Sequence, residues 1–177
     1  MSVTVTVFGS SATQPGSPEY ALAEELGALL AAKGARVCNG GYSGIMEAVS
    51  KGASHAGGTV IGVTCGEVFA ARAVNPYVTD EIREPTLTRR MLRLVELGNA
   101  YVALPGSTGT LAEVFYTWNE MIVGELKRRP LVLLGDAWPA LLATLKQQGM
   151  LLPAVDRWLT LTASAEHAAD MALRVRR

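Results

Sequence analysis

Three times in this chain a short apolar run ends in a glycine-bearing loop that leads straight into a stretch of helical periodicity. The loops are Gly9-Ser10-Ser11, Gly40-Gly41-Tyr42-Ser43-Gly44 and Gly106-Ser107-Thr108-Gly109-Thr110. Strand, glycine loop and helix in repeated alternation imply a parallel sheet covered by helices. The predicted architecture is α/β: a single doubly wound Rossmann-like domain over residues 1–177, with a mainly parallel sheet and helices on both faces.

Local signals place the elements. The segment from Met1 to Phe8 alternates with a period of two and reads as a strand. Ser17-Pro18 is a helix cap followed by proline at the first helical position; Leu22, Leu26, Leu29 and Leu30 form the apolar stripe, and Gly34 supplies a left-handed exit. Strands follow at 36–38 and 59–64, with a helix over 45–54 between them. Residues 65–85 are less regular, carry Pro76 and Pro85, and read as a flexible flap beside the site. A helix over 86–97 and a strand over 99–104 lead to the third loop. The next helix has the stripe Leu111, Val114, Phe115, Trp118 and Ile122; it is expected to run to Lys127-Arg128-Arg129, whose cations suit its C-terminus, and to stop at Pro130. A strand over 131–134, a helix over 138–147, a strand at 159–161 and a helix capped by Ser164 complete the series.

Composition narrows the partners. At 177 residues and 49% hydrophobic content, the chain can bury roughly 70% of its unfolded surface and needs no disulfide or structural metal. Sixteen basic and sixteen acidic side chains cancel, so no long-range field favours nucleic acid or an anionic bilayer, and neither partner is expected. The first residues lack a positive n-region, and apolar runs such as Tyr101–Leu104 fall far short of the ~20 residues of a membrane helix, so a cytoplasmic location is expected. Cys38 and Cys65 have no zinc or redox spacing and read as buried thiols at strand ends; no metal site is expected. His55 and His167 read as surface or satisfied residues.

In a doubly wound sheet, ligands bind outside the carboxyl ends of the strands, where all three glycine loops fall. Gly106–Thr110 offers backbone N–H groups at a helix N-terminus, small side chains and two threonine hydroxyls, a combination suited to a phosphate; a tight turn before a capped helix uses the same residues. Neither the GxxxxGK[ST] nor the GxGxxG pattern is present, so nucleoside triphosphate hydrolysis and a nicotinamide cofactor are not expected. Glu113 admits two readings. Thr110-Leu111-Ala112-Glu113 fits a capping box, and the same carboxylate beside a phosphate loop can act on a substrate. Arg89, Arg90 and Arg93 crowd like charges on one helix, an arrangement that a nearby anion relieves.

Taken together, the loops identify a resemblance. The segment Pro105-Gly106-Ser107-Thr108-Gly109-Thr110-Leu111-Ala112-Glu113 resembles the PGGxGTxxE pattern of the LOG family, the cytokinin riboside 5′-monophosphate phosphoribohydrolases, many formerly labelled putative lysine decarboxylases. Arg90 falls on the family's upstream arginine; Phe8-Gly9-Ser10-Ser11 with Tyr20, Gly40-Gly41 to Ala48, and Thr117-Trp118 also fall where the family places its nucleotide loops and the helix after the phosphate loop. The resemblance covers roughly residues 3–147. Three departures stand out: Ser107 at the second glycine, Met91 where many members have lysine, and Asn99 where many have aspartate. If position 107 needs a positive φ, serine there is costly.

The resemblance implies hydrolysis of the N-glycosidic bond of a nucleoside 5′-monophosphate, such as adenosine monophosphate or a cytokinin riboside monophosphate, to free base and ribose 5-phosphate. It implies Arg90 and Glu113 as catalytic residues, and Gly9, Ser10, Gly40, Gly41, Gly106, Ser107, Thr108, Gly109 and Thr110 as the substrate-binding set. It further implies a homodimer with the site near the subunit boundary, and no metal or organic cofactor. The alternative is a non-catalytic nucleotide-binding or molybdenum-cofactor carrier protein, since a related branch of the fold uses similar loops. Lysine decarboxylation would ordinarily need a pyridoxal-bearing lysine, and none of Lys33, Lys51, Lys127 and Lys146 lies in a glycine loop.

Overall fold

A computed structural model describes residues 2–66, 69, 71–151 and 154–174. The chain runs β1 (Thr4–Phe8), α1 (Pro18–Ala32), β2 (Arg36–Asn39), α2 (Ile45–His55), β3 (Val60–Cys65), β4 (Asp80–Glu84), α3 (Leu87–Leu97), β5 (Ala100–Ala103), α4 (Thr108–Val123), β6 (Leu131–Leu134), α5 (Ala137–Gln147), β7 (Thr160–Thr162) and α6 (Ala165–Ala172), with a short 3₁₀ turn at Val155–Trp158. The strands form one sheet in the order β4-β3-β2-β1-β5-β6-β7, and every adjacent pair is parallel.

That order follows from the way each strand is two-sided. Side chains alternate across a strand, so consecutive residues enter opposite layers. Val5, Val7, Val102, Leu104, Val132 and Leu134 pack with α1, α2 and α6 on one face. Their neighbours Phe8, Tyr101, Ala103, Leu131 and Leu133 pack with α3, α4 and α5 on the other. Strands buried on both faces read as continuous apolar runs, the pattern of residues 100–104 and 131–134.

The helix caps at Ser17 and Ser164 stand as expected, each side chain accepting an N–H three residues on, and Gly34 has φ +81°. Cys38 and Cys65 are buried at the ends of their strands, and burial pushes the Cys38 thiol up to about 12. His55 and His167 lie at the surface.

Two expectations need correction. The irregular flap read over 65–85 contains a strand: β4 pairs along the whole of β3, from Ile61 with Asp80 to Cys65 with Glu84. Its Asp-Glu-Ile-Arg-Glu sequence hid it, because an edge strand needs few apolar residues and tolerates charge. The α4 helix stops at Val123, four residues before Lys127, because Gly124 turns left-handed at φ +88°. Arg129 does serve a helix end, but that of α3: its guanidinium donates to the carbonyls of Val95 and Gly98 and to the Tyr101 hydroxyl.

Candidate active site

The strand order reverses direction at β1. From there the chain moves outward through β2, β3 and β4, then returns to place β5 on the other side of β1. A crevice opens at such a switch point, outside the carboxyl ends of the strands. The loops after β1 and β5 flank it, and they meet closely: a side chain on Gly106 would press on the Ser10 main chain and on Thr110.

A cavity of about 310 Å³ occupies this crevice. Of the residues singled out from sequence, Gly9, Gly40, Ser107, Gly109, Thr110, Arg90 and Glu113 line it; Ser10, Gly41, Gly106 and Thr108 are their chain neighbours and do not line it. Ser107 is the N-cap residue of α4, with φ −86°, so the serine incurs no left-handed strain there. The α4 helix thus begins at Thr108, and Thr110 lies within its first turn. That removes the capping-box reading, which requires Thr110 outside the helix as the cap. Glu113 is in the second turn and points toward Arg90.

Arg90 is buried despite its charge. Its Nε donates to the Val63 carbonyl at 2.8 Å and its Nη2 to the Gly40 carbonyl at 3.1 Å. A Cβ at Gly40 would collide with Nη2, so any larger residue there must displace the guanidinium. The remaining nitrogen, Nη1, stands 3.7 Å from Glu113 Oε1, with the two side chains only 8% and 16% exposed. The guanidinium also lies over the rings of Tyr42 and Phe69, at 5.6 and 5.9 Å. Arg93 needs no bound anion, since it pairs with Glu84 at 2.8 Å and with Glu96 at 3.1 Å.

Burial pushes the Glu113 carboxyl up to about 7, against the opposing pull of Arg90. A carboxyl with that value, on a cavity wall, suits acid–base work near neutral pH.

Sequence reasoning missed part of the wall. Phe8, Met46 and Met91 supply apolar surface, and Phe69 and Arg72 reach in from the segment after β3. Phe69 meets Tyr42 edge-to-face at 5.4 Å, and Arg72 lies 4.6 Å over the Phe69 ring. Only the placement of that segment over the loop of β2 reveals them. Met91 contributes apolar lining, whereas Asn99 lies at the amino end of β5, away from the carboxyl ends of the strands, its side-chain oxygen accepting the Thr4 N–H at 2.9 Å.

Over 137 residues the chain is 35% identical to the cytokinin riboside 5′-monophosphate phosphoribohydrolase of Rhodococcoides fascians, covering 75% of this chain and 67% of that protein. It is 32% identical over 105 residues to the pyrimidine/purine nucleotide 5′-monophosphate nucleosidase of Escherichia coli, covering 55% of this chain and 23% of that one. Among solved structures, the molybdenum cofactor carrier protein of Chlamydomonas reinhardtii superposes with a TM-score of 0.75 at 25% identity, covering 99% of this chain and 98% of that chain. The model of the SLOG cluster4 family matches residues 2–152, and the chain belongs to that family.

Proposed function

We propose that this protein is a phosphoribohydrolase that cleaves the N-glycosidic bond of a nucleoside 5′-monophosphate, giving free base and ribose 5-phosphate. The observation that carries this reading is the buried Arg90–Glu113 pair on the wall of a cavity that the N-terminus of α4 also lines. The named activities of the bacterial relatives support it. The substrate class is adenosine monophosphate or a cytokinin riboside monophosphate.

In this reading the phosphate sits on the first N–H groups of α4, with Ser107, Gly109 and Thr110 around it. Its binding energy positions the sugar at Glu113. As the bond between C1′ and the base nitrogen breaks, its electron pair leaves with the base and positive charge develops on the ribose. The Glu113 carboxylate stabilises that charge and takes a proton from the water that attacks C1′; this proton then passes to the nitrogen of the departing base, which leaves as the neutral free base and restores the carboxylate. Arg90 holds the carboxylate in place and favours its ionised form. The protein works as a homodimer in the cytoplasm, with the site close to the two-fold interface.

Incubation with a panel of nucleoside monophosphates tests the reading by product analysis. Free base and ribose 5-phosphate are expected. Tight binding without turnover on any of them supports a carrier instead, the role named for the structural neighbour that matches over nearly the whole chain.

A further inference from the structure

The Gly40 carbonyl that holds Arg90 belongs to a loop gripped from beneath by buried amides. Asn39 ends β2, Ser50 lies on α2 and Asn75 lies between β3 and β4; all three are buried, and none lines the cavity. The Asn39 side-chain oxygen accepts the Gly41 N–H at 2.8 Å, while its nitrogen donates to Ser50 Oγ at 2.9 Å. Ser50 in turn donates to the Met46 carbonyl at 2.7 Å. Asn75 takes the loop from the other side. Its main-chain N–H donates to the Gly41 carbonyl at 2.9 Å, and its side-chain nitrogen donates to the Tyr42 carbonyl at 3.0 Å.

Both polar groups of Gly41 and the carbonyl of Tyr42 are therefore committed to two asparagines. What this leaves facing the site is the Gly40 carbonyl, on Arg90 Nη2, and the Tyr42 ring, under the same guanidinium. Tyr42 cannot swing away, since its hydroxyl accepts the Cys65 N–H at 2.9 Å and donates to the Cys65 carbonyl at 3.2 Å. Asparagine suits these positions because one planar group both donates and accepts. Among the described residues no buried side-chain polar atom lacks a partner, and removing the Asn75 side chain takes its amide donor from the Tyr42 carbonyl.

We propose that Asn39 and Asn75 are positioning residues for Arg90: they fix the main chain of Gly41 and Tyr42, and through Gly40 and the Tyr42 ring they set the distance of the guanidinium from Glu113. The kinetic part of this proposal rests on the phosphoribohydrolase reading, and the geometric part does not.

The test uses Asn75→Ala, with Asn75→Ser as the gentler variant should alanine not fold, each in the wild-type and Arg90→Ala backgrounds. With adenosine monophosphate, kcat is expected to fall about tenfold or more in the wild-type background with KM nearly unchanged, the signature of lost geometry at the reacting centre. In the Arg90→Ala background the same change should cost nothing further in kcat. A second readout needs no substrate. The Glu113 carboxyl, assigned in a carbon-13 NMR titration by its loss in Glu113→Gln, should titrate at higher pH in the Asn75 variants, as it should in Arg90→Ala. Equal loss of kcat in both backgrounds, or a Glu113 titration unmoved from wild type, overturns the proposal and leaves the asparagines a purely structural role. If the wild type hydrolyses no nucleoside monophosphate, the phosphoribohydrolase reading falls, and the titration alone decides whether the asparagines position Arg90.

Discussion

Arg90 Nη1 stands 3.7 Å from Glu113 Oε1, inside the range of an ion pair and beyond that of a hydrogen bond. The two side chains come from α3 and α4, the helices on either side of β5, and meet where the sheet changes direction. Two of the three guanidinium nitrogens are spent on the Val63 and Gly40 carbonyls, so the arginine has one nitrogen to offer the carboxylate. It is therefore a fixed partner of Glu113 and not a mobile phosphate clamp.

Replacing Glu113 by glutamine should lower kcat by about 100-fold or more, the scale of a lost general acid–base group. Nucleotide affinity, measured by calorimetry, should barely change, since on the proposed reading main-chain amides hold the phosphate. Wild-type turnover by Glu113→Gln would falsify the catalytic assignment.

The elevated Glu113 carboxyl sets a pH dependence in two measurements. Turnover should rise with pH through a limb near 7, as the carboxylate forms, and Arg90→Ala should move that limb upward because Arg90 favours ionisation. Stability runs the other way. Between about pH 4.5 and 7 the folded state holds a proton that the unfolded chain has released, so stability falls as pH rises across that window. Below it both states are protonated and the penalty is absent. From pH 4 to pH 8 the wild type should therefore lose up to about 3 kcal/mol relative to Glu113→Gln, read by denaturant melts at each pH. Parallel curves for the two proteins would place the carboxyl at its ordinary value.

The 5′-monophosphate should be a far better substrate than the nucleoside. Phosphate held at the start of α4 contributes remote binding energy to the reacting centre, worth about 10²-fold or more in kcat/KM. Equal kcat/KM for adenosine and adenosine monophosphate contradicts this.

Gly40→Ala places a methyl group in the space of Arg90 Nη2. Overpacking of this kind costs about 1–3 kcal/mol, and because the atom displaced is part of the site, turnover should drop at temperatures where the variant is still fully folded by circular dichroism.

The proposed dimer needs apolar surface near the site. Leu94 and Trp118 are buried in the protein's own core, whereas Met91, Phe115 and Ile122 are partly exposed and Leu87 and Val123 are exposed, so these residues of α3 and α4 have surface to contribute. A two-fold mass by light scattering at micromolar concentration is expected, and a fully active monomer counts against it.

The legible parts of this fold were those where local chemistry and burial agree. Strands covered on both faces, serine caps and glycine exits all mark themselves in the chain, and β1, α1, β5 and β6 stand where those marks put them. The edge strand β4 does not: its five residues carry four charges, and only its hydrogen bonds to β3 reveal it. The site was legible in the same uneven way. Arg90 and Glu113 are 23 positions apart and are brought together by the packing of α3 and α4, which no spacing rule encodes; their pairing came from resemblance and not from periodicity. The capping-box reading starts α4 three residues late because Ser107 and Thr110 are comparable caps by type, and the extended backbone at Ser107 decides between them.

Arg90 is held by carbonyls, and every residue has a carbonyl to give. Point substitutions at Val63 therefore leave its bond to Arg90 in place so long as the β3 backbone keeps its path. What the arrangement cannot absorb is a change in chain length. One residue inserted or deleted between Asn39 and Gly44, or just after β3, would turn the wrong peptide plane toward the guanidinium while leaving every recognisable motif intact. Among relatives of this chain, loss of activity is accordingly to be sought in loop-length changes at these two strand exits, in proteins whose arginine and glutamate are both still present.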